Sequence, residues 1–385
     1  MPSQRAALRR AVAAFALMST AASFAAAQTR TDGKTAEQVY KNIKVLRGTP
    51  ADSFNQMMHL ISGALGVDCE YCHIQKDRAS DELKPKQTAR EMMRMMRDIN
   101  KKSFDGKQVV TCYTCHRGNP IPPNVPLLPV GEYVSDEKPA APALPSVDQI
   151  LAKYVEALGG EQAIQKVTSR IITGTEDIPT GPGGVNPTPG AIERYQKAPN
   201  LQLNVLHPGK ATLSNGFDGK VSWAQDAKGR VTEAVKLEQI RAARNADFYE
   251  PLHLKQEYRE MKVEGIEKVN NRDAYVVIGT PQENIPERLY FDKETGLLVR
   301  KSTIVPTTAG NSPFQVDYDD YRDTGSGVKF PFLIHMEPAS PRLELVTHSI
   351  IRVQKVEDNV AIDAAKFVKP ESKEEPPAPK PTATR

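Results

Sequence analysis

Two pentapeptides constrain this chain more than anything else in it: Cys69-Glu70-Tyr71-Cys72-His73 and Cys112-Tyr113-Thr114-Cys115-His116. Each is a C-x-x-C-H, the spacing at which two cysteines form thioethers to the haem vinyl groups. The adjacent histidine is then held under the iron as its proximal ligand. All four cysteines of the 385 residues fall inside these two motifs. The pattern predicts two covalently bound haem c groups, attached at Cys69 and Cys72 and at Cys112 and Cys115. His73 and His116 are the expected iron ligands.

Other uses of a C-x-x-C pair explain less. A redox-active disulfide expects one such pair in a thioredoxin-like βαβ setting. A zinc ribbon expects its second pair roughly 15–20 residues after the first, whereas 39 residues separate Cys72 from Cys112. Neither accounts for the paired histidines. Compartment agrees with haem attachment. Arg5, Arg9 and Arg10 precede an apolar run from Ala11 to Ala22, and Ala25-Ala26-Ala27 forms a small-residue cleavage signature. This reads as a signal peptide over residues 1–27, cleaved near Gln28, and places the mature chain in the periplasm.

The formal net charge is only +4, with both signs mixed along the chain, which gives no reason to expect nucleic-acid binding. Length suits two domains.

Between the motifs and before them the periodicity is helical. Phe54, Met58, Ile61 and Leu65 recur at spacings of four, three and four, which predicts one buried helix face ended by Gly66. Met58 on that stripe can act as a distal iron ligand or as core filling. Met57 lies about 100° round the helix, and His59 is expected at the surface. Pro85 suits the first turn of a second helix, running to about Asn100 and carrying Met92, Met93, Met95 and Met96. Six of the ten methionines lie between residues 57 and 96, and spacing alone does not choose among those of the second helix. Residues 28–118 thus read as a mainly α dihaem cytochrome domain, using the order methionine-bearing helix, loop, C-x-x-C-H twice.

The run Ala89-Arg90-Glu91-Met92-x-x-Met95, then Ile99-Asn100, then Val110-Thr111 through the second motif to Arg117-Gly118-Asn119-Pro120, resembles the cytochrome c subunit of bacterial photosynthetic reaction centres. Phe54-x-x-x-Met58 followed by the first motif is similar to the haem site before it in that family. The resemblance covers about residues 38–123. It implies attachment through both cysteines of each motif, ligation by the following histidine, and a sixth ligand on the preceding helix: Met58 for the first haem and Met92 for the second. Family members typically carry four haems; this chain has attachment points for two.

Eight prolines between residues 119 and 145 predict an extended linker. After it, Val147 to Leu158 reads as an amphipathic helix closed by Gly159-Gly160. Ten short strand patterns follow: Ser169–Gly174, Ile192–Gln196, Leu201–Leu206, Lys220–Ala224, Ala274–Gly279, Glu287–Phe291, Leu297–Thr303, Phe314–Arg322, Val328–His335 and Leu343–Val353. Together they predict an α+β domain over residues 146–368, a curved antiparallel sheet or half-open barrel on a leading helix. It resembles the fold of bacterial lipoprotein-sorting carriers. His207, His253, His335 and His348 show no metal-ligand spacing, and residues 369–385 read as a disordered tail.

The expected function is a periplasmic dihaem c-type electron carrier and not an enzyme, exchanging electrons with redox proteins or a membrane electron-transfer complex. The rival readings are an apolar-ligand-binding or sensing protein with accessory haems, and a haem enzyme with one open iron position.

Overall fold

The computed structural model describes residues 34–122, 144–180, 186–234, 236–282, 284–307, 310–338 and 349–373. The signal peptide, most of the Pro-rich linker, His348 and the end of the tail lie outside the described residues.

The haem-motif region is built from four helices on irregular connections. Helix α1 (Ala36–Val39) is capped by Thr35, whose N–H donates to Gln38 Oε1 at 2.8 Å. Helix α2 (Phe54–Leu65) ends at Gly66 in the left-handed conformation (φ 65°), as the sequence predicts. A 3-10 turn at Cys69–Tyr71 opens the first motif, with Asp68 Oδ1 accepting from Tyr71 N–H at 3.0 Å. Helix α3 (Lys84–Ser103) has Pro85 in its first turn, and the second motif is itself a short helix, α4 (Cys112–His116).

The core of this region is small. Buried Leu46 and Met57 are its centre, with Ile43, Phe54, Met58, Leu60, Ile61 and Met93 packed against them. Two arginines of α3 clamp the 42–45 segment over it: Arg90 Nη2 donates to the Asn42 carbonyl at 3.3 Å, and Arg97 Nη1 to the Val45 carbonyl.

The rest of the chain is organised by one sheet. Helices α5 (Val147–Ala157) and α6 (Glu161–Lys166) lead into strands β1 (Ser169–Thr180), β2 (Asn186–Lys197), β3 (Leu201–Pro208), β4 (Leu213–Asp218), β5 (Ser222–Gln225) and β6 (Val231–Glu233). Helices α7 (Lys236–Asn245) and α8 (Glu250–Glu257) then cross to the far side. There β7 (Tyr258–Val269) begins the return through β8 (Arg272–Pro281), β9 (Glu287–Asp292), β10 (Leu298–Thr307), β11 (Gly310–Asp323), β12 (Lys329–Pro338) and β13 (Ser349–Asp358). The order β6-β5-β4-β3-β2-β1-β13-β12-β11-β10-β9-β8-β7 makes a 13-stranded, wholly antiparallel sheet. It is curved and unclosed, because β6 and β7 are edges that do not pair with each other.

Alternation on the strands separates two faces. One packs on α5, α6 and α8 and holds the main core, including Ile150, Tyr154, Leu158, Leu254, Phe291 and Ile351. The other carries Leu203 and Trp223, covered by Ile362 and Phe367 from the chain's end. At the seam where β1 meets β13, Arg170 is fully buried and grips Asp358 in a two-point pair, Nε to Oδ1 at 2.6 Å and Nη2 to Oδ2 at 2.9 Å. Thr324 and Ser326 hydroxyls donate to the same carboxylate at 2.6 Å.

The helix and the half-open sheet expected from the sequence are present. Three strands escaped it. β4 and β6 are short, and β7 (Tyr-Arg-Glu-Met-Lys-Val-Glu-Gly-Ile-Glu-Lys-Val) hides its apolar period under charges that suit an exposed edge. The tail also begins later than its composition suggests. Lys369 pairs with Glu233, Ser372 Oγ accepts from Val231 N–H at 3.0 Å, and Lys373 N–H donates to the Gly229 carbonyl at 3.1 Å.

Candidate haem site

The two motifs converge on one point, the C-terminal end of α2. The first begins three residues beyond Gly66. The second ends two residues before Gly118, whose N–H donates to the Ala64 carbonyl at 2.9 Å. The approach is so close that a Cβ on Gly66 would lie 2.0 Å from the Gly118 carbonyl oxygen. Only glycine fits there, and its left-handed φ independently asks for one. The chain's reach over three residues on one side and two on the other holds Cys69 and His116 within about 20 Å of each other.

Each histidine is oriented in the same way. His73 Nδ1 lies 2.9 Å from the Arg78 carbonyl oxygen, and His116 Nδ1 lies 2.9 Å from the Asn119 carbonyl oxygen. A carbonyl can only accept, so each Nδ1 carries the proton and donates it. Nε2 of each ring is then left with its lone pair free, the tautomer that an iron ligand requires. Burial, reinforced by the Lys86, Arg78 and Arg90 cations, holds the His73 pKa below its usual value and keeps the ring neutral.

The cysteines are unpaired with one another. Burial pushes the Cys72 and Cys112 thiols up from their ordinary value. Among the described residues no group of three or more His, Cys, Asp or Glu is arranged to hold a metal ion. The donor set therefore suits sulfur-to-carbon attachment with imidazole ligation, and the residues present fit haem c.

Loops hold both motifs in place. Asn100, buried at the end of α3, donates from Nδ2 to the Val110 carbonyl at 2.7 Å. Its Oδ1 accepts from Val109 N–H at 3.1 Å and Val110 N–H at 2.8 Å. On the first side, Asp81 gathers Lys44, Arg90 and Asn42 at 2.6, 2.7 and 2.8 Å. The Lys44 contact leads in holding its carboxyl well below the usual carboxylate range. Sequence reading missed both anchors, because a single Asn or Asp in a polar loop carries no periodic signal.

The methionines divide differently from the expectation on α2. Met57 is fully buried and Ala64 nearly so, while Phe54, Met58, Ile61 and Leu65 are half-buried. The cause is packing: α2 turns Met57 onto Leu46 and its last turn onto Gly118, while Phe54, Met58 and Ile61 pack on the rim of that core and stay half-buried. His59 is half-buried rather than at the surface, and burial together with the Arg78 cation lowers its pKa. On α3, Met96 is buried and Met93 packs on the small core, whereas Met92 and Met95 are 38% and 48% exposed. Of the two methionines expected as ligands, Met58 is half-buried on the rim of the small core and Met92 is exposed.

Residues 6–143 match the family model of the photosynthetic reaction centre cytochrome C subunit. This region is a relative of those cytochromes. It is 36% identical over 94 residues to the photosynthetic reaction center cytochrome c subunit of Thermochromatium tepidum, covering 23% of each chain. It is 41% identical over 86 residues to cytochrome c-554 of Chloroflexus aurantiacus, covering 20% of each. The chain thus spans less than a quarter of the length of these relatives, and the sheet lies outside the match. The sheet is similar to the LolA superfamily protein NE2245 from Nitrosomonas europaea, at 12% identity and a TM-score of 0.41 over 59% of this chain and 99% of that one. A putative outer membrane lipoprotein-sorting protein domain from Vibrio parahaemolyticus gives 10% identity and a TM-score of 0.42, over 56% and 97%. Likenesses at that level carry no argument, and the half-open architecture rests on the strand order itself. No helix among the described residues is long and apolar enough to cross a membrane.

Proposed function

We propose that this chain is a periplasmic dihaem c-type cytochrome that passes electrons between redox partners. The carrying observation is the repeated histidine geometry, in which a main-chain carbonyl takes the Nδ1 proton in both motifs and leaves Nε2 for iron. Cys69, Cys72, Cys112 and Cys115 hold the two haems, His73 and His116 are the proximal ligands, and Met58 and Met92 supply the sixth. When bound, the haem supplies a one-electron couple; a thioether opposite an imidazole raises its potential. A filled sixth position suits electron transfer and not catalysis. The partners on this reading are redox proteins or a membrane electron-transfer complex.

The relatives are themselves described as cytochromes c, which supports haem c here, and the count of two comes from the motifs alone. A pyridine haemochrome assay with intact-mass measurement on protein matured in the periplasm is expected to return two haems retained under denaturing conditions; one, or none, overturns the reading. Met58→His and Met92→His are each expected to lower one midpoint potential, and an unmoved midpoint removes that methionine. Carbon monoxide binding to the reduced protein at neutral pH would favour a haem enzyme.

A further inference from the structure

The two motifs differ in how their surrounding charge is used. Around the first, residues 68–90 hold five Lys and Arg against five Asp and Glu, and Lys44, Lys86 and Arg90 converge on Asp81 at 2.6, 3.7 and 2.7 Å. Around the second, Lys101, Lys102, Lys107 and Arg117 are exposed, and among the described residues none has a carboxylate partner. Against these four cations the stretch from 101 to 122 holds one acid, Asp105. The cations are not free to scatter, since the Asn100 clamp ties the end of α3 to Val109 and Val110 immediately before the motif.

Apolar side chains stand in the same stretch. Val109, Tyr113 and Ile121 are 53%, 55% and 79% exposed, and they lie in sequence among the four cations. A small apolar group beside unpaired charge of one sign has the anatomy of a transient interface: the apolar residues supply contact, and the charges steer and orient the encounter. The whole described haem region agrees in sign, with 15 Lys and Arg against 10 Asp and Glu over residues 34–122, a net of +5.

We propose that the second motif's face is the port through which this protein docks an acidic redox protein, with Lys101, Lys102, Lys107 and Arg117 as the steering charges and Val109, Tyr113 and Ile121 as the contact. The inference rests on the electron-carrier reading. The occupant is a protein and not an anionic membrane, because three separate apolar side chains on a short helix and its flanks offer no continuous amphipathic face for insertion. The first motif, in a stretch of balanced charge, offers no comparable steering field.

The test uses the full haem-loaded chain and two inorganic probes of opposite charge. Anionic ferricyanide takes one electron and becomes ferrocyanide as a haem iron goes from Fe(II) to Fe(III); cationic tris(phenanthroline)cobalt(III) takes one electron to the cobalt(II) complex. At an ionic strength of roughly 10 mM, where charges are little screened, K101E/K102E/K107E is expected to slow the ferricyanide reaction about fivefold or more and to leave the cobalt reaction equal or faster. K210E/K228E/K262E makes the same change in net charge on exposed lysines of the sheet and is expected to alter neither rate by as much as twofold. A binding readout accompanies the kinetics: poly-glutamate is expected to protect Lys101, Lys102 and Lys107 from acetylation, read by mass spectrometry, and to leave Lys44 unprotected. Equal effects of the two triple variants, or no selective protection, would overturn the port while the carrier reading stands. Electron exchange with neither probe would remove both. Sedimentation with phosphatidylglycerol vesicles that the first triple variant abolishes, without discrimination between the redox probes, would assign the patch to membrane and overturn the proposal.

Discussion

The two halves of this molecule are held together by different physics. The sheet region buries many apolar side chains on both faces and holds buried ion pairs such as Arg170–Asp358 and Arg244–Glu287. The haem-motif region, by contrast, has a small cluster of Leu46 and Met57 with half-buried neighbours around them, and its other buried apolar residues, such as Ala36, Ala64 and Met96, are scattered outside it. Small folds of this kind rarely reach useful stability without a staple. Covalently attached haem, on the proposed function, would supply such a staple. The difference teaches that one half carries a large core of its own while the other has only a small one.

The sharpest way to break that comparison is to remove haem attachment. C69A/C72A/C112A/C115A is expected to lose most of the helical signal of residues 36–116 while keeping a cooperative unfolding transition from the sheet. Circular dichroism and hydrogen exchange read the two separately; helices as protected as in the holoprotein would show that the small core suffices.

Next in size come single contacts on either side. In the sheet, Glu287 is buried and receives Arg244 Nη2 at 2.6 Å, Arg244 Nη1 at 2.9 Å, Lys301 Nζ at 3.1 Å and the Tyr258 hydroxyl at 2.5 Å. Burial alone would raise its pKa, but Lys301 and Arg244 hold it well below the usual range. Glu287→Ala strands both cations and is expected to cost about 4 kcal/mol. In the haem region, Gly66→Ala puts a methyl against the Gly118 carbonyl and is expected to cost about 3 kcal/mol. Chemical denaturation of the holoprotein checks both. If the glycine variant proves harmless, the convergence of the two motifs on α2 is loose.

The smallest expected effect concerns pH. Glu257 on α8 has both carboxylate oxygens buried without a hydrogen-bond partner. Burial, with Glu250 close by, pushes its pKa up to about 9. The folded state therefore keeps a proton that the unfolded chain releases above its ordinary value of 4.5, so stability falls as pH rises from there toward 9. Glu257→Gln is expected to flatten that fall and raise the sheet's Tm at pH 9 by about 5 °C, with little change at pH 5. A haem-region transition following the same pH profile would contradict the separation of the two halves.

The sequence by itself determined the chemistry. C-x-x-C-H is a local code, because attachment and proximal ligation involve residues within five positions, and two copies name four cysteines and two histidines outright. Helix ends at Gly66 and Pro85 were equally readable, since caps and proline act through local backbone geometry. Strands with clean alternation could be read for the same reason, whereas β7, masked by edge charges, could not. Tertiary structure decided the rest. Which methionine of each pair lies inward depends on what α2 and α3 pack against, so Met57 took the buried place that its helical period alone assigned to Met58. That the two motifs meet at Gly66 and Gly118, that Asn100 clamps the second, and that Asp81 gathers Lys44, Lys86 and Arg90 beside the first all depend on contacts between residues distant in sequence. Such contacts leave no period in the chain, because their partners are chosen by the fold.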